Sequence, residues 1–277
     1  MLNCHGGDEE CLGCAKRMAC VYTNVFKPNL IRGNLTVERG REHAGTIPAA
    51  YAIGLEHYDM SAVSHYYQRG EMFGVNLALF GDYAVRQAAL LVAAMIEGLS
   101  GFFVEAGFLE VLEVADGFDD AGSVYSPGSQ IVSPEPLLWS DRAGEDLLGH
   151  AVLEFDAPLA LDRAEGKQSI SILDPDLELV VTRVVLRAQS MVNLFTEGEF
   201  VFPQEVVEAA KLVEVRSSFM VAAGVKRSMK DPNAAVVGRM ELSGDLRLLA
   251  PYLYLGSVLH IGKSVTMGYG GYRLVFG

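Results

Sequence analysis

Between Leu259 and Val275 the chain reads LHIGKSVTMGYGGYRLV, with glycines at 262, 268, 270 and 271. Positions without a Cβ let the main chain turn through left-handed conformations and approach another chain closely, and amides left exposed in such a loop can cradle a phosphate. Lys263 stands at the mouth of the loop. The order is not that of a Walker loop, because G-x4-G-K-[ST] is absent and the loop precedes a strand pattern instead of following one. It also lacks the strand-to-helix setting of a dinucleotide site. The chain then finishes in a strand pattern, Tyr272 to Phe276.

The elements upstream have readable periods. Ala151 to Leu161 (AVLEFDAPLAL) alternates as a strand with its end at Pro158. Asp174-Pro175 predicts a helix N-cap followed by proline at the first helical position, and Leu177, Val181, Val184, Ala188, Met191 and Phe195 form one apolar stripe. Strands Val213 to Val221 and Ala234 to Leu242 are joined around Asp231-Pro232-Asn233. A last helix begins near Pro251, placing Tyr252, Leu255 and Leu259 on one side, and ends at Gly262. Strand, helix, hairpin, helix, strand is the order of a ferredoxin-like domain. The first half is a weaker copy: a strand over Gly74 to Phe80, a helix opened by Gly81-Asp82 with Val85, Ala88, Val92 and Ile96 at helical spacing, and a strand over Phe108 to Val114. The Gly, Ser, Pro and Asp-rich stretch from Asp116 to Trp139 reads as the link. The expected fold class is therefore α+β, two tandem ferredoxin-like domains over 1–135 and 136–277, the first carrying an N-terminal cysteine cluster and open to being incomplete or rearranged.

Charge limits the partners. Lys and Arg total 22 against 35 Asp and Glu, a formal charge of -13, so no overall positive field collects nucleic acid and any anion-binding face is local. Between residues 216 and 239 the balance reverses: Arg216, Lys226, Arg227, Lys230 and Arg239 against Asp231, five minus one, or +4. The longest apolar run, Ala88 to Ile96, has nine residues, far short of the roughly 20 that span a bilayer. The first ten residues lack the basic and apolar regions of a secretory signal, and a cytoplasmic location follows by default. All four cysteines, Cys4, Cys11, Cys14 and Cys20, fall within the first 20 residues. In a reducing compartment the spacing C-x6-C-x2-C-x5-C reads as thiolates gathered on one tetrahedral ion, most simply a structural zinc, with free thiols or a redox pair as the alternatives.

The sequence resembles the CRISPR-associated endoribonucleases that process precursor crRNA, members of the RAMP superfamily of tandem ferredoxin-like domains. LHIGKSVTMGYGGYRLV looks like that family's glycine-rich signature and VVGRMELSG, Val236 to Gly244, like the strand before it. CLGCAKRMACVYTNVFKP, Cys11 to Pro28, is similar to the cysteine segment of one branch, and NLALFGDYA, Asn76 to Ala84, matches the first-domain strand and turn. The resemblance implies binding of CRISPR repeat RNA, often as a hairpin, and cleavage without a metal ion. The 2'-hydroxyl attacks the neighbouring phosphate and leaves a 2',3'-cyclic phosphate and a 5'-hydroxyl. Other CRISPR effector subunits are implied as partners, and no membrane.

Such chemistry needs a base for the hydroxyl, an acid for the leaving oxygen and fixed cations for the developing charge. Histidine suits the first two roles because its ordinary pKa is about 6.5. His43 lies among Arg39 and Arg41, where it could be a solvated loop residue or an acid or base beside two guanidiniums, with Arg41 as charge stabiliser and Arg39 on the RNA. His260, which borders the glycine-rich loop, is either a second acid or base or a helix-terminal histidine. Arg216, Lys226, Arg227, Lys230 and Arg239, together with Gly262, Lys263, Gly268 and Gly270, form the expected RNA platform. Two rival functions stay open: a non-catalytic RAMP subunit that holds the crRNA hairpin in an effector complex, and a zinc-stabilised protein-interaction module.

Overall fold

The structure is a computed structural model and describes residues 11, 13–28, 48–56, 68–101, 103–104, 107–117, 122–134, 136, 148–165, 168–223 and 235–277. The chain forms two compact units: Met1–Tyr51 with Leu79–Leu137 and Leu194–Glu197, and Ala52–Ala78 with Leu138–Asn193 and Gly198–Gly277. In the first unit the cysteine segment winds through a 3-10 turn, Arg17–Ala19, and one wide helical turn, Tyr22–Phe26. Thr23 is buried there and its hydroxyl donates to the carbonyls of Arg17 at 2.6 Å and Cys20 at 3.1 Å, so the polar group is satisfied. Phe26 lies against Tyr22 and Tyr51, ring centres 6.1 and 5.0 Å away.

Strand β1 (Tyr51–Glu56) pairs with β2 (Gly74–Leu79), the latter as its alternation predicts. The helix that follows is broken in two, α1 (Gly81–Arg86) and α2 (Ala88–Ser100), because the Gln87 amide closes a tight turn onto the Ala84 carbonyl at 3.1 Å. The strand expected over Phe108 to Val114 does not form as one piece. β3 (Phe103–Val104) pairs with β4 (Gly107–Phe108), and β5 (Val114–Ala115) pairs with β6 (Ser123–Tyr125). Between them Leu112 is half exposed, and an alternating run with no strand partner among the described residues does not extend. The expected link from Asp116 onward is thus partly structured, with Val124 of β6 buried.

The second unit follows its predicted order. β7 (Leu148–Leu159), β10 (Glu214–Ala223), β11 (Ala235–Asp245) and β12 (Arg273–Phe276) make one antiparallel sheet in the order β10-β11-β7-β12. That order is what strand, helix, hairpin, helix, strand produces when the last strand returns beside the first. Ala151, Leu153 and Phe155 of β7 with Met240 and Leu242 of β11 turn inward against α3 (Leu177–Phe195) and α5 (Ala250–Leu259). The whole predicted stripe of α3 is buried. Its cap is Asp176, whose carboxylate accepts the Leu179 amide at 2.7 Å, and not Asp174, because the helix starts two residues later than the proline suggests. In α5 the buried positions are Ala250, Leu253, Gly256 and Leu259, so the face is turned from the expected one through Tyr252 and Leu255. Gly256 decides this: a Cβ there would overlap the Tyr272 hydroxyl and Val184. A hairpin, β8 (Leu161–Glu165) with β9 (Gln168–Ile172), and a short helix, α4 (Gln204–Ala210), complete the unit.

Candidate nucleic-acid interface

The glycine-rich turn leaves α5 at His260, a non-glycine residue at φ +55°. From there the chain folds back on itself: the Ile261 amide donates to Gly270 at 3.0 Å, Lys263 to Ala160 at 3.0 Å and Gly270 to Pro158 at 2.9 Å. Gly270, at φ +73°, sits so close to the Ile261 carbonyl that any Cβ would overlap it. Its glycine is therefore explained by close chain approach, and residues 269–272 are buried. The turn is not bare along its whole length. Its outer half is open, with Gly262 and Met267 exposed and Gly268 partly so. Lys263 reaches back to form an ion pair with Asp162.

His260 lies inside this structure. Its ring packs beside Gly54 of β1 and Gly271, and it is 9% exposed. Burial pushes the imidazole down to about 4, against a hydrogen bond to the Tyr269 backbone that favours the charged form and with a smaller push from the Arg187 guanidinium. At neutral pH the ring is uncharged. Behind it on α3 stand Arg183 and Arg187, one helical turn apart and neither wholly exposed. Arg183 Nη2 donates to the Asp162 carbonyl. The sequence reading passed over both arginines; the signal was two charges set between Val184, Val185 and Ala188 in an otherwise apolar helix.

The other face of the sheet is exposed. In register across it lie Phe219, Arg239, Glu154 and Arg273, with Phe219 65% exposed. Arg239 pairs with Glu241 at 2.8 Å, Arg273 with Glu154 at 2.9 Å and Asp156 at 2.7 Å, and Arg216 with Glu214 at 4.0 Å. Exposed pairs of this kind are worth about 0–1 kcal/mol, so a phosphate can exchange for the carboxylates at small cost. Neither Phe219 nor Arg273 was among the sequence candidates. Arg39, Arg41, His43, Lys226, Arg227, Lys230 and Cys4 lie outside the described residues. Cys11 is buried, Cys14 exposed and Cys20 intermediate. Among the described residues no three His, Cys, Asp or Glu side chains gather as a metal centre, and the fourth expected ligand, Cys4, lies outside them. No helix among the described residues is long and apolar enough to cross a membrane.

The model of the CRISPR-associated endoribonuclease Cas6 family matches residues 153–272, and a second family model, of an N-terminal domain, matches residues 1–137. No curated protein matches the chain by sequence. In fold it is similar to Thermus thermophilus Cas6 in a product complex, at TM-score 0.55 and 13% identity over 92% of this chain and 89% of that one. A second Cas6 product complex aligns at TM-score 0.52 and 18% identity over 82% and 84% of the two chains. A partial Cas6-RT-Cas1–Cas2 complex aligns at TM-score 0.54 and 16% identity, over 82% of this chain and 39% of that one. These are likenesses of fold, α+β with tandem ferredoxin-like domains. With the glycine-rich turn, α3 and α5 inside the matched segment and a similar fold over four-fifths of its length, residues 153–272 match the CRISPR-associated endoribonuclease Cas6 family and the chain shares the Cas6 fold.

Proposed function

We propose that this protein binds CRISPR repeat RNA and cuts it without a metal ion, leaving a 2',3'-cyclic phosphate and a 5'-hydroxyl. The observation that carries the reading is the glycine-rich turn of 260–273, which lies almost wholly within the Cas6-matched segment and begins at His260, beside the Arg187 guanidinium of α3. The exposed row of Phe219, Arg239 and Arg273 supports it as an RNA face, since an aromatic ring offers a base a stacking surface and arginines meet the backbone. In this reading His43 is the acid or base and Arg41 stabilises the developing charge, while His260 positions the turn. Arg39, Lys226, Arg227 and Lys230 extend the backbone contact. The Cas6 found in a Cas6-RT-Cas1–Cas2 complex supports other CRISPR proteins as partners. A cytoplasmic location and a structural zinc completed by Cys4 belong to the same reading. Elemental analysis tests the zinc: one equivalent per chain, lost on Cys11→Ser, is expected, and metal-free folded protein contradicts it.

Incubating labelled repeat RNA with the protein in EDTA tests the activity. A single cut is expected, with His43→Ala slower by roughly 100-fold or more. RNA left intact, or cut only after a divalent metal is added, contradicts the mechanism. The neutral, buried state of His260 favours one second reading, a subunit that holds crRNA without cutting it; tight binding without turnover selects that one.

A further inference from the structure

Among the described residues, four buried side-chain polar atoms have no hydrogen-bond partner: Arg183 Nε, Arg187 Nε, Arg187 Nη2 and His260 Nδ1. All belong to the second unit, and three are guanidinium donors spaced one turn apart on α3. The carboxylate beside Arg183 is already engaged. The Asp162 carboxylate holds Lys263, and its carbonyl takes Arg183 Nη2. His260 supplies no charge, because the ring that Arg187 faces is neutral. Burial without a counter-charge pulls the Arg187 guanidinium down to about 10, and arginine does not shed its proton at neutral pH. Among the described residues the cation therefore has no counter-charge.

An unpaired buried charge weakens a fold, and apolar side chains of similar volume in place of buried charges often stabilise it. A helix lined by Val180, Val181, Val184, Val185 and Ala188 would pack as well with methionine at 187. The arginine thus weakens the free protein at a place where only an added anion would repay it. Arg187 stands beside His260, where the glycine-rich turn begins, and Arg183 reaches the turn's open half through Asp162, whose carboxylate holds Lys263 next to the exposed Gly262. The fork of a guanidinium matches two oxygens of one phosphate.

We propose that Arg187, with Arg183 Nε, forms a preformed seat for a phosphodiester of the RNA as it passes the open side of the glycine-rich turn. The inference rests on the function proposed above and assigns one backbone contact within it. Its chemistry is shared with free phosphate, and the experiment separates the two.

The test compares wild type and Arg187→Met in three measurements: repeat-RNA affinity across a salt series, the thermal midpoint without RNA, and the midpoint with millimolar inorganic phosphate. The expected result is a variant at least as stable as wild type, with RNA affinity about tenfold or more weaker and a log-log salt slope shallower by about 0.7. A folded variant with wild-type affinity and slope overturns the proposal. So does a lowered midpoint with unchanged affinity, which makes the guanidinium part of the fold. Stabilisation of wild type alone by inorganic phosphate, with RNA affinity equal in the two proteins, identifies a free-ion site and also overturns it. Should Arg187→Met not fold, Arg187→Lys keeps the charge and loses the fork: weakened RNA binding at full stability supports the seat, and wild-type affinity overturns it. Wild type that binds no repeat RNA even at low salt defeats the functional reading itself, whereas wild type that binds and cuts beside an unaltered Arg187→Met defeats this inference alone.

Discussion

His260 is buried where the glycine-rich turn begins. In water an imidazole titrates near 6.5; in the fold, burial holds it down to about 4. The unfolded chain therefore takes up a proton at this residue while the folded chain resists it. Stability present above pH 6.5 is lost progressively as the pH falls toward 4, on the order of 3 kcal/mol over the whole window for this one group. Urea unfolding of wild type at pH 7.5 and pH 5 is expected to show that loss, and His260→Gln to reduce it. Equal losses in the two proteins would place the effect in other groups. Sequence reading found His260 by its neighbours in the chain and missed its burial. Glycines at 54 and 271 bring two backbones against its ring, and only one of the two is local in sequence.

The elements of the second unit were largely legible because each buries one face. β7 alternates, α3 keeps a 3.6-residue stripe, and β10 and β11 are joined by a turn-forming segment. Where the cue was a single residue it misled by a turn's fraction. Pro175 suggested a cap at Asp174, yet the carboxylate that accepts the α3 amide belongs to Asp176. Asp176→Ala is expected to cost about 1 kcal/mol, read as a lowered thermal midpoint, while Asp174→Ala leaves the midpoint nearly unchanged. The reverse order would restore the earlier start. The first unit was less legible. Its strands are two or three residues long at β3, β4, β5 and β6, and such pieces exist only through pairing with segments that alternation alone does not reveal. The β8–β9 hairpin escaped for a related reason, since LDRAEGKQSI carries apolar residues only at Leu161, Ala164 and Ile170, too few to show an alternating face.

Across the whole molecule, a net charge of -13 makes RNA binding a matter of local fields. The arginines of the open sheet face are held by Glu154, Asp156 and Glu241, and so are placed but not locked. On α3, among the described residues, Arg183 Nε and two nitrogens of Arg187 are buried without a hydrogen-bond partner. The first kind suits contacts that form and exchange along a strand, and the second a fixed point of register. The composition made the acidic balance plain and the resemblance pointed to the glycine-rich turn, but the pairing state of each cation depends on strand register and helix rotation. Mass spectrometry of the fragments released from unlabelled repeat RNA in EDTA tests the central claim most directly. The account predicts an upstream fragment lighter by one water than its linear 3'-phosphate and a downstream fragment with a 5'-hydroxyl; a 3'-hydroxyl paired with a 5'-phosphate would contradict it.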